Sequence, residues 1–520
     1  MTWSVSTRLL LKSISAISIE KVALLVGVAV MLRGISVVVY RLHLSPLARF
    51  PGPKVAASTG LYEFYHDFFR RGKYIFEIEK MHKKYGPIVR INPDELSIHD
   101  PSFYSSLYVT GSVRRTNNYS HFARGVGFED SHFLSTEHDL HRRRRKPLDP
   151  YFSRQGVKAL EATLVKLADR LMCRLGRLKG SGKLVRLDHA YVAFAGDVMS
   201  ALCCETTTNL VEDEHFGKDW FDLLHDFIQS IPLAAGFPQI ILFANLIPAW
   251  MLNWAEPRLK TFNNFKRLAK KHILEAKAEK RKLTEDFSNR DSVFRHMLDS
   301  GLPESDLTLE RLTREAQVLL GAGSVTTART LSFITFYLLA NTEFKLRLQS
   351  ELKELMKDYP NRMPTWAELE RLPYLQALIK EGLRLSYGVM HRLPRVSPDT
   401  DIQYQNWTIP AGVPVGMSAY LMHTDPDVYP NPFTFNPDRW LGDVPAVMTR
   451  NLVPFSKGSR ICLGMNLAYA ELNIVLSILF GPRGPTIALF ETEEEDIVQA
   501  HDFLIPLPKL TSKGLRITVE

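Results

Sequence analysis

The stretch FSKGSRICLG, Phe455 to Gly464, sets one of the chain's four cysteines between two glycines and two residues after an arginine. An apolar helical pattern follows at once, over 463–480. A cysteine that only fills a core needs none of those neighbours, since a buried free thiol behaves as a small hydrophobe. A cysteine that ligates a metal uses all of them. Glycine lets the backbone pass close to a flat ligand or take positive φ. The planar fork of an arginine matches a carboxylate, and an apolar side chain beside a ligand sulfur controls its access to water. The other cysteines, Cys173, Cys203 and Cys204, stand in apolar helical text and read as packed thiols. No spacing among the four makes a disulfide framework or a zinc site, which points to a reducing compartment.

An iron porphyrin makes those demands together. A thiolate axial ligand pushes electron density onto iron and favours O–O cleavage. In FSKGSRICLG, Phe455 is the shield, Gly458 the turn, Arg460 the propionate partner and Cys462 the ligand, with Gly464 opening the next helix. The stretch matches F-x-x-G-x-R-x-C-x-G, so the chain resembles the cytochrome P450 haem-thiolate monooxygenases. The resemblance covers essentially everything after residue 45. The phrases KYGPIVRINPDELSIHDPSFY and HDFLIPLPKLTSKGLRITV are similar to fungal secondary-metabolism members, the group that includes trichodiene oxygenase. It implies a mainly α fold with small peripheral β-sheets, and haem b bound through the Cys462 thiolate.

Further motifs stand in the family's order. EGLR puts Glu381 and Arg384 at i, i+3 on one helix face. Alone it reads as a surface ion pair. PNPFTFNPDRW, Pro430 to Trp440, resembles the family segment whose arginine, here Arg439, completes a buried network with that pair. GAGSVTTAR, Gly321 to Arg329, stacks Ala322 with Thr326 and Gly323 with Thr327 at i, i+4. Alone it reads as a helix-packing seam; it also resembles the family's oxygen-binding helix. That implies room for O2 beside small residues, with the Thr326 hydroxyl holding a water that delivers protons. Val325 stands where the family usually has an acid, so Ser324, Thr327 or water is left to substitute. By the same resemblance His141 and Arg145, and Arg395 in HRLPR, join Arg460 on the haem carboxylates. The substrate pocket falls to the loop from Tyr119 to Phe128, to Ala322 and Gly323, and to Val389 and Met390. Its apolar character suits a lipophilic molecule.

Helical patterns dominate, around 71–85, 136–150, 155–177, 187–204, 255–283, 306–340, 342–357, 374–386 and 463–480. Strand-like text is short: IVRINP, LSIH, IQYQ, FLIPLP and LRITV. Val22 to Tyr40, VALLVGVAVMLRGISVVVY, carries one charge in nineteen residues. A hydrocarbon core of ~30 Å takes about 20 helical residues, so its length suits a single span. A cleaved signal peptide, a buried core helix and an interfacial helix compete with that reading. SPLARFPGPK, Ser45 to Lys54, is a stiff proline-rich connector. The chain thus divides into a flank (1–21), an anchor (22–40), a connector (41–59) and a monooxygenase domain (60–520). Ile231 to Trp254 is apolar enough for core or for a second surface dipping into the bilayer.

A net charge of +9 and a pI near 9.2 favour anionic partners. HRRRRKP, His141 to Pro147, has no interleaved aromatics, so it reads as a charged helix face rather than a nucleic-acid site. The expected partners are a membrane, an apolar small molecule and an NADPH-dependent reductase docking on the basic face from Arg142 to Lys146. The expected location is the endoplasmic reticulum membrane, single-pass, with the catalytic domain facing the cytosol. A terpenoid or polyketide-derived substrate follows by analogy. A peroxide-using isomerase or dehydratase needing no reductase, or a non-catalytic haem sensor, keeps the same fold and remains open.

Overall fold

A computed structural model describes residues 19–123, 127–236, 259–278 and 292–520. Its longer helices are α1 (Ile19–Val39), α2 (Tyr74–Tyr85), α3 (His138–Arg145), α4 (Arg154–Gly176), α5 (Leu187–Cys203) and α6 (Lys218–Gly236). They continue with α7 (Leu259–Ala278), α8 (Leu309–Ala340), α9 (Thr342–Leu355), α10 (Pro373–Ser386) and α11 (Met465–Phe480).

The axis of the fold is α8, 32 residues long. At 1.5 Å per residue that is ~48 Å, enough to cross a whole domain. Thr308 caps its start, the hydroxyl accepting from the Arg311 N–H, and Asn341 ends it while capping α9 through Phe344. Against it lies α5, LDHAYVAFAGDVMSALC, buried around nearly its whole circumference. A helix apolar on every side belongs inside a core. Small residues let the two axes approach: a Cβ at Gly323 would sit 2.4 Å from Met199 Sδ. Helices α4, α7, α10 and α11 complete the main core, which holds Leu331, Phe333, Leu378 and Ile474.

Strands β1 (Ile88–Arg90), β2 (Leu96–Ile98), β3 (Asn117–Asn118), β5 (Arg395–Val396) and β8 (Pro414–Gly416) form a sheet ordered β1-β2-β8-β5-β3. Only β2 with β8 is parallel. Strand β4 (Val185–Arg186) pairs with β12 (Arg516–Val519), which also pairs with β9 (Ile487–Leu489). Among the described residues two hairpins remain, β6 (Ile402–Tyr404) with β7 (Trp407–Ile409) and β10 (His501–Phe503) with β11 (Ile505–Leu507).

Helix α1 is exposed along nearly its whole length, and the run Glu20–Leu44 is long and apolar enough to cross a membrane. The core begins where it stops. Arg41 Nη1 donates to the Ser58 carbonyl (2.9 Å), and Arg90 Nη1 donates to the Arg41 carbonyl (2.7 Å).

The expected helices lie within a few residues of those observed, and the ends of the one expected over 255–283, residues 255–258 and 279–283, lie outside the described residues. Helix α6 was not expected; Pro232 inside it and the apolar run from Ile231 obscured its period. Most of that run, 237–254, lies outside the described residues. Strands of two or three residues at 117, 185, 395, 407, 414 and 487 were also not expected, being too short to show alternation.

Candidate active site

The cysteine loop is pinned from both sides. The Cys462 N–H donates to the Phe455 carbonyl at 2.9 Å, and the Ser459 N–H to the Val109 carbonyl at 3.1 Å. Gly458 takes φ +73° and a Cβ there would stand 2.3 Å from Val109 O, so both backbone and space demand glycine. Gly464 differs: its φ is −84° and a Cβ would meet nothing within 4 Å. Its small size leaves open space beside the first turn of α11, and no turn requires it. Phe455 packs on Tyr469, ring centroids 5.3 Å apart.

Cys462 keeps accessible surface even though burial pushes its thiol up. Both hold for a side chain that faces an internal recess. The Gly464 N–H and the Arg145 guanidinium work the other way and favour the thiolate.

Beside it the chain concentrates positive charge. Arg460 Nη1 donates to the Ser135 carbonyl and Nη2 to the Thr136 carbonyl, both at 2.8 Å. Arg395, carried on β5, lies 5.3 Å from the Tyr108 ring centroid, and Arg145 donates to the Ile461 carbonyl. Burial first, then Arg395, pulls the Arg460 guanidinium down to about 9. Burial, Arg460, His132, Arg145 and Arg395 together hold His141 neutral, with its Nδ1 buried and unbonded. Among the described residues no carboxylate pairs with Arg395 or Arg460. Buried cations without counter-charge are costly. A dianion such as the two carboxylates of a porphyrin fits this donor set.

Behind the loop, Glu381 and Arg384 of α10 are both wholly buried and meet at 2.7 Å. Glu381 also accepts from Arg439 Nε (3.0 Å), Trp440 Nε1 (2.9 Å) and the Asn436 N–H (2.9 Å). Arg384 Nη1 donates to the His423 carbonyl at 2.8 Å, and the Val453 N–H donates to His423 Nε2 at 2.8 Å. The triad is thereby hydrogen-bonded to the strand of chain that enters the cysteine loop.

On α8, Ala322 is exposed and Thr326 half-buried, its Oγ1 donating to the Ala322 carbonyl at 2.9 Å. Val325 is buried and Ser324 donates to the Leu320 carbonyl at 2.7 Å. Thr327 is buried and turns the other way, toward Glu471 of α11, where it favours the ionised carboxyl against burial. Sequence reasoning missed Glu471. Burial pushes that carboxyl up to about 8, and its Oε1 has no hydrogen-bond partner. The available signal was a lone acid in the apolar run AYAELNIVLSILF.

A cavity of about 430 Å³ is lined by Tyr119, Phe128, Leu134, Pro394 and Leu504, among others. Two residues expected at the pocket lie elsewhere. Met390 is fully buried in a cluster with Tyr74 and Tyr387, and Gly323 faces Met199. Val389 packs against the main core, and neither it nor Ala322 lines this cavity. Residues 124–126 of the expected loop lie outside the described residues.

The cytochrome P450 family pattern matches residues 57–481. The chain is 54% identical over 490 residues to the cytochrome P450 monooxygenase oblB of Aspergillus clavatus, covering 93% of this chain and 94% of that one. It is 49% identical over 489 residues to the fusicoccadiene C-8 hydroxylase of Phomopsis amygdali, covering 93% of each. It is 45% identical over 510 residues to the stellatic acid synthase of Emericella variicolor, covering 93% of this chain and 92% of that one. With this fold, this cysteine loop and matches across nearly its whole length, the chain belongs to the cytochrome P450 family of haem-thiolate oxidoreductases.

Proposed function

We propose that this monooxygenase inserts one oxygen atom from O2 into an apolar small molecule of terpenoid or polyketide origin. Haem held by Cys462 and electrons from an NADPH-dependent reductase complete the reading. The observation that carries it is the group of Arg395, Arg460 and His141, paired with no carboxylate among the described residues, beside a cysteine that keeps accessible surface. When bound, the haem supplies O2 activation driven by its thiolate ligand.

The chain's own residues do the rest. Arg395 and Arg460 hold the carboxylates by charge-assisted hydrogen bonds, and neutral His141 donates one more. Glu381, Arg384 and Arg439 fix the loop so that Cys462 is held in one position. The Thr326 hydroxyl holds a water and passes its proton toward the reacting oxygen. Thr327 is turned to Glu471, and positions that carboxyl between α8 and α11. Apolar walls exclude bulk water and orient the substrate by shape. One relative is named for hydroxylating a diene and another for making an acid, which supports oxidation of a largely hydrocarbon skeleton. Helix α1 anchors the chain in the endoplasmic reticulum membrane, with the enzyme facing the cytosolic reductase.

The test is turnover with purified reductase, NADPH and 18O2 on candidate precursors. One heavy oxygen per product is expected. A rearranged product without added oxygen, or turnover independent of reductase, contradicts the reading.

A further inference from the structure

The cavity near Pro394 has a mixed lining. Phe64, Phe128, Phe133, Leu134, Ile231 and Leu504 are its apolar part. Glu63, Asp67, Glu95, His391, Arg392 and Asp502 are its polar part. Most of this polar lining is satisfied internally. Arg392 Nε donates to Glu95 at 2.8 Å and its Nη2 to Glu63, which also accepts from Asn92 at 2.8 Å. His391 Nδ1 and Asp502 are 3.0 Å apart.

Asp67 is the exception. Its carboxyl accepts a single long bond, 3.3 Å from the Tyr74 N–H, and pairs with no cation among the described residues. Asp67 is half-buried, and a carboxyl with one weak bond on a cavity is available to a ligand. Burial, reinforced by Glu63, pushes this carboxyl up to about 8, so near neutral pH it is protonated and both donates and accepts. The surrounding carboxylates repel an anion, and the apolar part of the lining suits a hydrocarbon body.

We propose that Asp67 binds a neutral oxygen, hydroxyl or carbonyl, already present on an otherwise apolar substrate. This rests on the monooxygenase reading above and narrows it. The enzyme then acts on an oxygen-bearing skeleton, made either by an earlier hydroxylating or water-adding enzyme or by its own first turnover.

The experiment is a spectral binding titration of the haem protein with ent-kaurene, ent-kaurenol and ent-kaurenoic acid, which share one skeleton. The alcohol is expected to bind about tenfold tighter than the hydrocarbon, the worth of one good hydrogen bond. The acid is expected to bind more weakly than the alcohol. Asp67→Leu is expected to abolish the alcohol preference and leave hydrocarbon binding unchanged, and Asp67→Asn to retain the preference. Equal affinities in the wild type, or a preference that survives in Asp67→Leu, overturn the inference while a normal haem-thiolate spectrum leaves the monooxygenase reading standing. A protein without that spectrum overturns both. Turnover of the hydrocarbon separates the two sources of oxygen: direct appearance of a doubly oxidised product marks a retained first product. Inertness toward hydrocarbon with turnover of the alcohol marks a group supplied upstream.

Discussion

Single residues carry the chemistry, and two buried carboxyl groups show how differently burial can be answered. Glu381 is met by two arginines and an indole N–H, so removing it strands buried cations. Glu381→Ala is expected to cost roughly 3–5 kcal/mol and to lose haem rather than merely slow turnover. Haem content per folded protein checks this, and a fully loaded variant contradicts it. Glu471 meets no cation among the described residues, and it stays protonated in the fold up to about pH 8. The unfolded chain releases that proton near the ordinary glutamate value, so the native state binds more protons between about pH 4.5 and 8. Stability from this group is therefore present at low pH and falls as pH rises through that window. Glu471→Gln is expected to flatten the slope and to stabilise by on the order of 3 kcal/mol at pH 8. Unfolding midpoints from pH 5 to 8 measure it, and parallel profiles for the two proteins contradict it. The roles proposed for Arg460 and Cys462 come from a ten-residue pattern, because the proposed ligand and propionate partner lie close in sequence. Glu471 was not readable, because its meaning depends on Thr327, which only the packing of α8 on α11 brings near.

At the scale of elements, the cysteine loop depends on one left-handed glycine. Gly458→Ala combines positive φ with a Cβ 2.3 Å from a carbonyl oxygen. A cost of about 2–3 kcal/mol is expected. Thermal unfolding of the haem protein should report it, whereas Gly464→Ala, with open space around its Cβ, should shift the midpoint far less. Equal effects at the two glycines contradict the assignment. The long helices were legible because their apolar periods persist over several turns, as in α4, α8 and α10. The strand β5 was not, since two residues, Arg395 and Val396, carry no alternation. Yet that strand is what sets Arg395 against Tyr108 near the cysteine loop. The packing-seam reading of GAGSVTTAR proved right for Gly323, which fills against Met199, while Ala322 and Thr326 of the same stretch remain open. One run of small residues serves both purposes because adjacent helical positions point 100° apart.

Across the whole molecule, charge and hydropathy separate the exposed apolar helix α1, the proposed docking face and the core. Only part of the basic run is free to meet a partner. Arg143 and Arg144 pair with Asp306, Arg145 pairs with Asp149, and His141 is buried, which leaves Arg142 and Lys146 exposed and in no ion pair among the described residues. The double variant Arg142→Glu, Lys146→Glu is expected to slow reduction by the reductase about tenfold at low salt without altering substrate binding. Stopped-flow reduction checks this, and an unchanged rate contradicts it. Helix α1 shares no burial with the core, so removing residues 1–39 should release the enzyme from carbonate-washed membranes with its unfolding midpoint unchanged. The central claim is that the sulfur of Cys462 bonds iron. Its most direct measurement is the carbon monoxide difference spectrum of the reduced protein beside that of Cys462→Ser. A long-wavelength Soret band characteristic of thiolate ligation, lost in the serine variant, is the expected result; the same band in both proteins, or in neither, contradicts it.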